Sequence, residues 1–425
     1  MKIFSHLKKQ IGLGLNLGLV TLLLVACGND TVAPTGSPAT TGVATPPTAT
    51  SVPTTASTTA VVTTAATTLA ATTLPPTTSS PTTAPGTTGQ NATTSQGTTG
   101  QEQEVTFTSQ GDTIYGTLLK PEGGSGKMPV ALIIAGSGPT DRDGNSTLIP
   151  GKIDTLKYFA QVLAANGVAS LRYDKLGTGK TGLGHLASNP NNIDFQVYLD
   201  EARAAYDYLK AQPDLDPQRI MILGHSEGGL IGLILADQLK TSQEIKALVL
   251  ASPLSRPYLQ TIHDQLTAQY AAAVKAGAVT QAQADAALAE LDQINKSLVE
   301  TGKYPGTINT PALKQIYTPV NEKFLGEVAK YDPQQIAAGL PTNLPVLAMC
   351  GSKDQQISCD DVGYLMQGFQ KAGNTKAALA VLANVDHVYK EVPGTPNPNT
   401  DYSNPNLKFS QEAATKLGDF IKSAL

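Results

Sequence analysis

The chain has 425 residues, a formal net charge of −4, 40% hydrophobic and 15% charged residues, and no tryptophan. Mild acidity without any basic stripe excludes the strong positive field that drives binding to nucleic acid. Length alone allows two or three average domains, but composition shifts so sharply along the chain that length overcounts them.

Residues 1–26 combine Lys2, Lys8 and Lys9 with the apolar run Ile11 to Ala26 and small residues before Cys27, the layout of a secretory signal. Leu24-Val25-Ala26-Cys27 closely resembles the bacterial lipoprotein signal, which implies lipidation of Cys27, a lipid anchor to a membrane and an extracytoplasmic chain. A simple uncleaved membrane anchor is the alternative, although the apolar stretch is short for a full span. Thr31 to Gln101 contains no charged residue and is dominated by Thr, with Pro, Ala, Ser and Gly. Such a segment buries too little apolar surface to offset the entropy of ordering, so 27–103 is expected to be a disordered tether, with glycosylation a further use of the same composition.

Residues 104–425 have ordinary globular composition. Glu104 to Ser109 and Thr113 to Leu119 read as a hairpin around Gln110-Gly111-Asp112. The pattern then alternates. Pro129 to Ala135 is strand-like, Ile153 to Ala165 helical, Val168 to Tyr173 a strand and Phe195 to Ala211 a helix. A strand at Arg219 to Leu223, a helix at Glu227 to Leu239 and a strand at Ile245 to Ala251 follow. Strands at Pro345 to Cys350 and Ala377 to Leu382 alternate with helices at Asp361 to Lys371 and at the carboxyl end. Such a series predicts an α/β fold: a mostly parallel sheet with helices on both faces.

Residues 254–340 break the alternation with two amphipathic patterns. Leu259, Ile262, Leu266 and Tyr270 share one helical face, and Thr280 with Gln283 forms a capping box ahead of Leu288, Leu291, Ile294 and Leu298. An insertion this long is expected to be a helical lid, or otherwise a thickening of the scaffold.

Gly177-Thr-Gly179-Lys-Thr-Gly182 matches the glycine pattern of a dinucleotide loop, and Gly179-Lys180-Thr181 looks like the end of a phosphate loop. Context argues against both: Asp174 stands where a phosphate loop needs glycine, and no helix follows directly. No histidine and carboxylate cluster has zinc-like spacing, the nearest set being Asp386 and His387, so no metal or other cofactor is expected. Cys350 and Cys359 either pair across a short loop or remain buried thiols.

Gly224-His-Ser226-Glu-Gly228 lies between a predicted strand and a predicted helix, the setting of a G-x-S-x-G nucleophile elbow. A serine hydroxyl is a weak nucleophile until a positioned base takes its proton. His6 lies in the signal, His185 in the glycine-rich loop and His263 in the insertion, while His225 adjoins Ser226 and should point away. His387, after the last strand, is the expected base. Asp354, after the preceding strand, is the expected acid, ahead of Asp360, Asp361 and Asp386, and gives the chain order Ser, Asp, His.

Together these features resemble the α/β-hydrolase superfamily across Glu104 to Leu425. Ala135-Gly-Ser-Gly-Pro-Thr-Asp-Arg-Asp143 and Arg172-Tyr-Asp-Lys-Leu-Gly-Thr-Gly179 look like loops of its serine-aminopeptidase-like and dienelactone-hydrolase-like esterases. Ala135 and Leu176 depart from that pattern, where many relatives have histidine and arginine. The resemblance implies oxyanion-hole amides at Ser137 and Glu227 and a small-molecule carboxylic ester as substrate. Asp141, Arg142 and Asp143 are expected to brace this loop by salt bridges, with Tyr173 and Asp174 structural. A serine aminopeptidase shares every catalytic part, and a surface binding module on an inactive hydrolase scaffold is the reading from a different class.

Overall fold

The computed structural model describes residues 100–123 and 126–425. The expected signal at 1–26, the lipidation at Cys27 and the tether as far as residue 99 lie outside the described residues.

Strands β1 (Gly100–Ser109) and β2 (Asp112–Pro121) form the expected hairpin. Its two turn residues, Gln110 and Gly111, take φ 48° and 91°, matching the right-handed twist of the strands they join. β1 begins at Gly100 rather than at Glu104, so residues 100–103 belong to the sheet and not to the tether. The ladder runs from Gly100↔Pro121 to Ser109↔Asp112, because backbone pairing is indifferent to the polar side chains of Gln101, Glu102 and Gln103.

The chain continues through β3 (Met128–Ile134), α1 (Thr155–Ala165), β4 (Ala169–Tyr173), α2 (Phe195–Lys210), β5 (Leu215–His225), α3 (Glu227–Gln238) and β6 (Ile245–Ala251). Five helices follow: α4 (Tyr258–Lys275), α5 (Gln281–Thr301), α6 (Pro311–Ile316), α7 (Pro319–Val328) and α8 (Pro333–Ala338). Then come β7 (Val346–Gly351), α9 (Cys359–Lys371), β8 (Ala377–Leu382), α10 (Pro398–Asp401) and α11 (Gln411–Ala424). The sheet order is β1-β2-β4-β3-β5-β6-β7-β8, antiparallel at β1, β2 and β4 and parallel from β4 through β3 to β8.

Side-chain alternation explains why central strands with no polar face are stable here. Leu132, Ile134, Leu248 and Leu250 enter one core with α2, α3 and the insertion, while Ala131, Ile133, Val249 and Ala251 enter a second core with α1 and α11. Both sheet faces are therefore covered. Helix α3 is buried from Glu227 to Ala236, as its apolar circumference requires. α2 starts where Asp194 accepts the amide of Val197 at 3.0 Å.

In the insertion, the Thr280/Gln283 capping box is formed and α5 ends at Gly302 in the left-handed conformation. α6, α7 and α8 escape periodicity because they are short, yet each carries proline in its first turn. Ile262, Leu266, Leu291, Ile294 and Leu298 join the core of the sheet, so the insertion thickens the scaffold.

Candidate active site

Parallel strands run in one direction, so the loops after β3, β5, β7 and β8 share one edge of the sheet. Those loops carry Ser137, Ser226, Asp354 and His387. Ser226 links β5 to α3 with φ 57° and ψ −122°, a conformation that costs a non-glycine residue about 1–3 kcal/mol. Its carbonyl accepts the amides of Gly229 and Leu254, both at 2.9 Å, and its own amide donates to Ala251 O at 3.0 Å. The flanking glycines are steric necessities: a Cβ on Gly224 would overlap the Gly228 carbonyl, and one on Gly228 would overlap the Ile134 carbonyl. The elbow thus packs directly on the end of β3, and a Cβ on Gly136 would lie 3.0 Å from Ser226 Cβ.

His387 Nδ1 donates to Asp354 Oδ2 at 2.8 Å, which leaves Nε2 as the acceptor nitrogen. Asp354 Oδ1 accepts the amides of Gln356 at 2.8 Å and Ile357 at 2.9 Å, and the carboxylate is fully buried. Ser226 and His387 are 3% and 4% exposed, so the site is nearly closed. The competing carboxylates are engaged elsewhere. Asp361 caps α9 and pairs with Arg256, and Asp386 Oδ1 accepts the amides of Val388 and Lys390. Burial raises Asp386 to about 6.

His225 does not simply turn away. Its Nε2 donates to the His387 carbonyl at 2.9 Å, with the two rings 5.0 Å apart. Burial, reinforced by the neighbouring His387, lowers its pKa to about 3, so it is a neutral strut between the turn at Ser226 and the loop that carries His387. Nothing in local sequence marks this role, because it depends on a contact across 162 residues. His185 pairs with Asp112, and His263 Nε2 lies 3.2 Å from Asp292.

Cys350 and Cys359 are disulfide-bonded, settling the alternatives left open by their spacing. The bridge closes the loop that carries Asp354. Cys359→Ser is expected to cost ~2–3 kcal/mol, read as a lowered denaturant midpoint that reduction of the wild-type protein reproduces.

The glycine-rich loop grips one of the protein's own carboxylates. Asp174 Oδ2 accepts the Lys180 amide at 2.9 Å, and Gly179, at φ 48°, passes so close that a Cβ there would overlap the Asp174 carboxylate. Asp174 also accepts the Arg142 amide at 2.8 Å and its guanidinium at 2.7 Å, while Arg172 Nε donates to Asp143 at 2.8 Å. The expected salt-bridged brace is therefore present at Arg142 and Asp143, whereas Asp141 makes no salt bridge among the described residues and its Oδ1 instead accepts the amides of Asp143 and Asn145, both at 2.9 Å.

Beside the elbow lies a buried ionic cluster that the motif reading missed. Lys175 Nζ donates to Gly136 O at 2.7 Å and lies 3.7 Å from Glu227 Oε1, and both residues are buried. Burial raises the Glu227 carboxyl. Glu201, fully buried, accepts the Leu176 amide at 2.8 Å, and burial raises it to about 8. A carboxyl whose folded pKa is raised stabilises the fold below its unfolded pKa, 4.5 for Glu, and loses that contribution as pH climbs through about 8. Glu201→Gln, always neutral, is therefore expected to gain melting temperature relative to wild type between pH 5 and pH 8. Parallel melting curves would contradict this.

Residues 151–303 match the family model described as "Serine aminopeptidase, S33". Esterase EstD of Thermotoga maritima is 25% identical over 296 residues, 68% of this chain and 60% of EstD, so the chain spans about 60% of that relative's length. Over these residues the chain is similar to the α/β-hydrolases. Among solved structures, the chain is similar to ferulic-acid-bound Est1E from Butyrivibrio proteoclasticus, at 17% identity and a TM-score of 0.47, covering 75% of this chain and 98% of that one. Pyrococcus furiosus esterase Pf2001 gives 16% identity and a TM-score of 0.48, covering 76% and 91%.

Proposed function

We propose that this protein is a hydrolase that cleaves carboxylic esters of small molecules through a covalent acyl-enzyme. Ser226 Oγ attacks the ester carbonyl while its proton passes to His387 Nε2, and Asp354 holds the imidazole in the required tautomer. Amides of Ser137 and Glu227 stabilise the tetrahedral oxyanion, Glu227 from the first turn of α3, where the helix dipole favours negative charge. Collapse breaks the ester C–O bond, and the imidazolium proton leaves on the alcohol. Water, activated by His387, then releases the acid.

The observation that carries this reading is the 2.8 Å bond between His387 Nδ1 and Asp354 Oδ2 on the sheet edge that also bears the Ser226 elbow. The insertion at 254–340 is read as a lid, because a nucleophile only 3% exposed needs a covering part to move before an ester enters. An extracytoplasmic chain anchored through Cys27 is supported by the signal-like amino terminus and by the Cys350–Cys359 bridge, which suits an oxidising compartment.

The family description makes aminopeptidase activity the second reading. A free α-amine calls for a carboxylate at the pocket, whereas Asp264 and Asp292 of the insertion are solvent-exposed. Labelling of the purified protein with a fluorophosphonate, followed by assay of nitrophenyl esters of rising chain length against aminoacyl anilides, decides between them. Labelling at Ser226 with ester turnover is expected. Faster anilide turnover would favour the peptidase, and an unlabelled Ser226 would remove the enzyme reading altogether.

A further inference from the structure

We propose that Lys175 is a positioning residue for the oxyanion hole, acting through the Gly136–Ser137 peptide. This rests on the reading of the Ser137 amide as an oxyanion donor. Lys175 Nζ donates to the Gly136 carbonyl at 2.7 Å. In a trans peptide the carbonyl of one residue and the N–H of the next belong to one rigid plane and point in opposite directions. A donor that fixes the Gly136 oxygen therefore fixes the direction of the Ser137 N–H as well. It also polarises that amide, because a hydrogen bond accepted at the carbonyl makes the N–H on the same peptide a stronger donor.

Three observations separate this lysine from an ordinary surface cation. Its side chain is 4% exposed, and burying an ammonium costs several kcal/mol unless its partners compensate. Those partners are the Gly136 carbonyl, the carboxylate of Glu227 at 3.7 Å and the ring face of Tyr198 at 5.0 Å. Glu227 directly follows Ser226 at the start of α3, so one ammonium ties the loop after β3 to the helix whose first amide is the second oxyanion donor. Finally, Gly136 sits against the nucleophile, with the position of its absent Cβ 3.0 Å from Ser226 Cβ and 3.4 Å from His225 O. A rotation of this peptide would move the proposed oxyanion donor.

The test is kinetic, with the wild-type protein as the control. Lys175→Met removes charge and donor, whereas Lys175→Gln removes the charge and keeps an N–H donor. Active sites are titrated with fluorophosphonate, so that kcat is expressed per competent serine and misfolded protein does not count. Lys175→Met is expected to lower kcat by roughly 10–100-fold with KM within about twofold of wild type, and Lys175→Gln to fall between the two. Affinity for a trifluoromethyl ketone, which forms a tetrahedral oxyanion adduct, should fall in parallel with kcat. Binding of the corresponding alcohol product, which has no oxyanion, should not change. A purely structural lysine would reduce the titrated fraction but leave kcat per site, and that result overturns the proposal. Loss confined to KM overturns it equally. If Lys175→Met yields no folded protein, Lys175→Gln alone decides by the same split. A wild-type protein that neither labels nor turns over esters would instead refute the proposed function, a different outcome from an active wild type with unaffected variants.

Discussion

Ser226→Ala is expected to abolish fluorophosphonate labelling and to lower ester turnover by ~10⁴–10⁶-fold while leaving the fold intact. The size follows from the division of labour at the site. The proposed oxyanion amides and the bound-substrate geometry would survive the substitution, so a residue of catalysis over water would remain, but no covalent route would. Alanine at position 226 still has to adopt φ 57°, and the carbonyl of that residue still receives the Gly229 and Leu254 amides. Melting temperature should therefore change little. Asp354→Asn tests the same unit from the other end. It keeps the size of the side chain but removes the charge that stabilises the imidazolium, and a loss on the order of 10⁴ in kcat is expected. If Ser226→Ala retained more than about a thousandth of wild-type turnover, the hydrolysis would have to occur by another route.

Asp174→Asn is expected to cost about 3–5 kcal/mol of stability, or roughly 5–10 °C in melting temperature. Asp174 is 3% exposed and receives the Arg142 amide, the Arg142 guanidinium and the Lys180 amide. Those donors converge on one carboxylate, and an amide side chain presents N–H groups to some of them. The Arg142 side chain, 11% exposed, would be left near the exposed Glu104 at 3.7 Å as its remaining ion-pair partner. Because the brace joins the loop after β3 to the loop after β4, the variant should also lose activity near its lowered melting point. Equal stability of Asp174→Asn and wild type in urea would show that the pair contributes nothing net.

Ion pairs with buried partners lie at the loops around Ser226 and the end of β3. Arg142–Asp174, Arg172–Asp143 and Lys175–Glu227 connect segments far apart in sequence. Apolar contacts hold the sheet and helices together, but they do not orient single peptides. Hydrogen-bonded charges have direction, and each one here fixes a loop at the carboxyl edge of the sheet.

The sequence by itself determined the alternation of strands and helices and the strand-to-helix turn at Ser226, and it singled out Asp354 and His387, which the fold joins at 2.8 Å. These are legible because each rests on a local rule. Periodicity reports which face of an element is buried, the glycines at 224 and 228 report a turn too tight for a Cβ, and loops after parallel strands share one edge. Tertiary structure alone decided the rest. The pairing of Cys350 with Cys359, the entry of Gly100 to Gln103 into the sheet, His225 as a strut for the base loop, and Lys175 bridging Gly136 and Glu227 all depend on groups brought together across the chain. The glycine-rich run at 177–182 shows the difference most directly. Its pattern imitates an anion-binding loop and its context argues against one, and only the fold specifies that the Lys180 amide of this run donates to the protein's own Asp174.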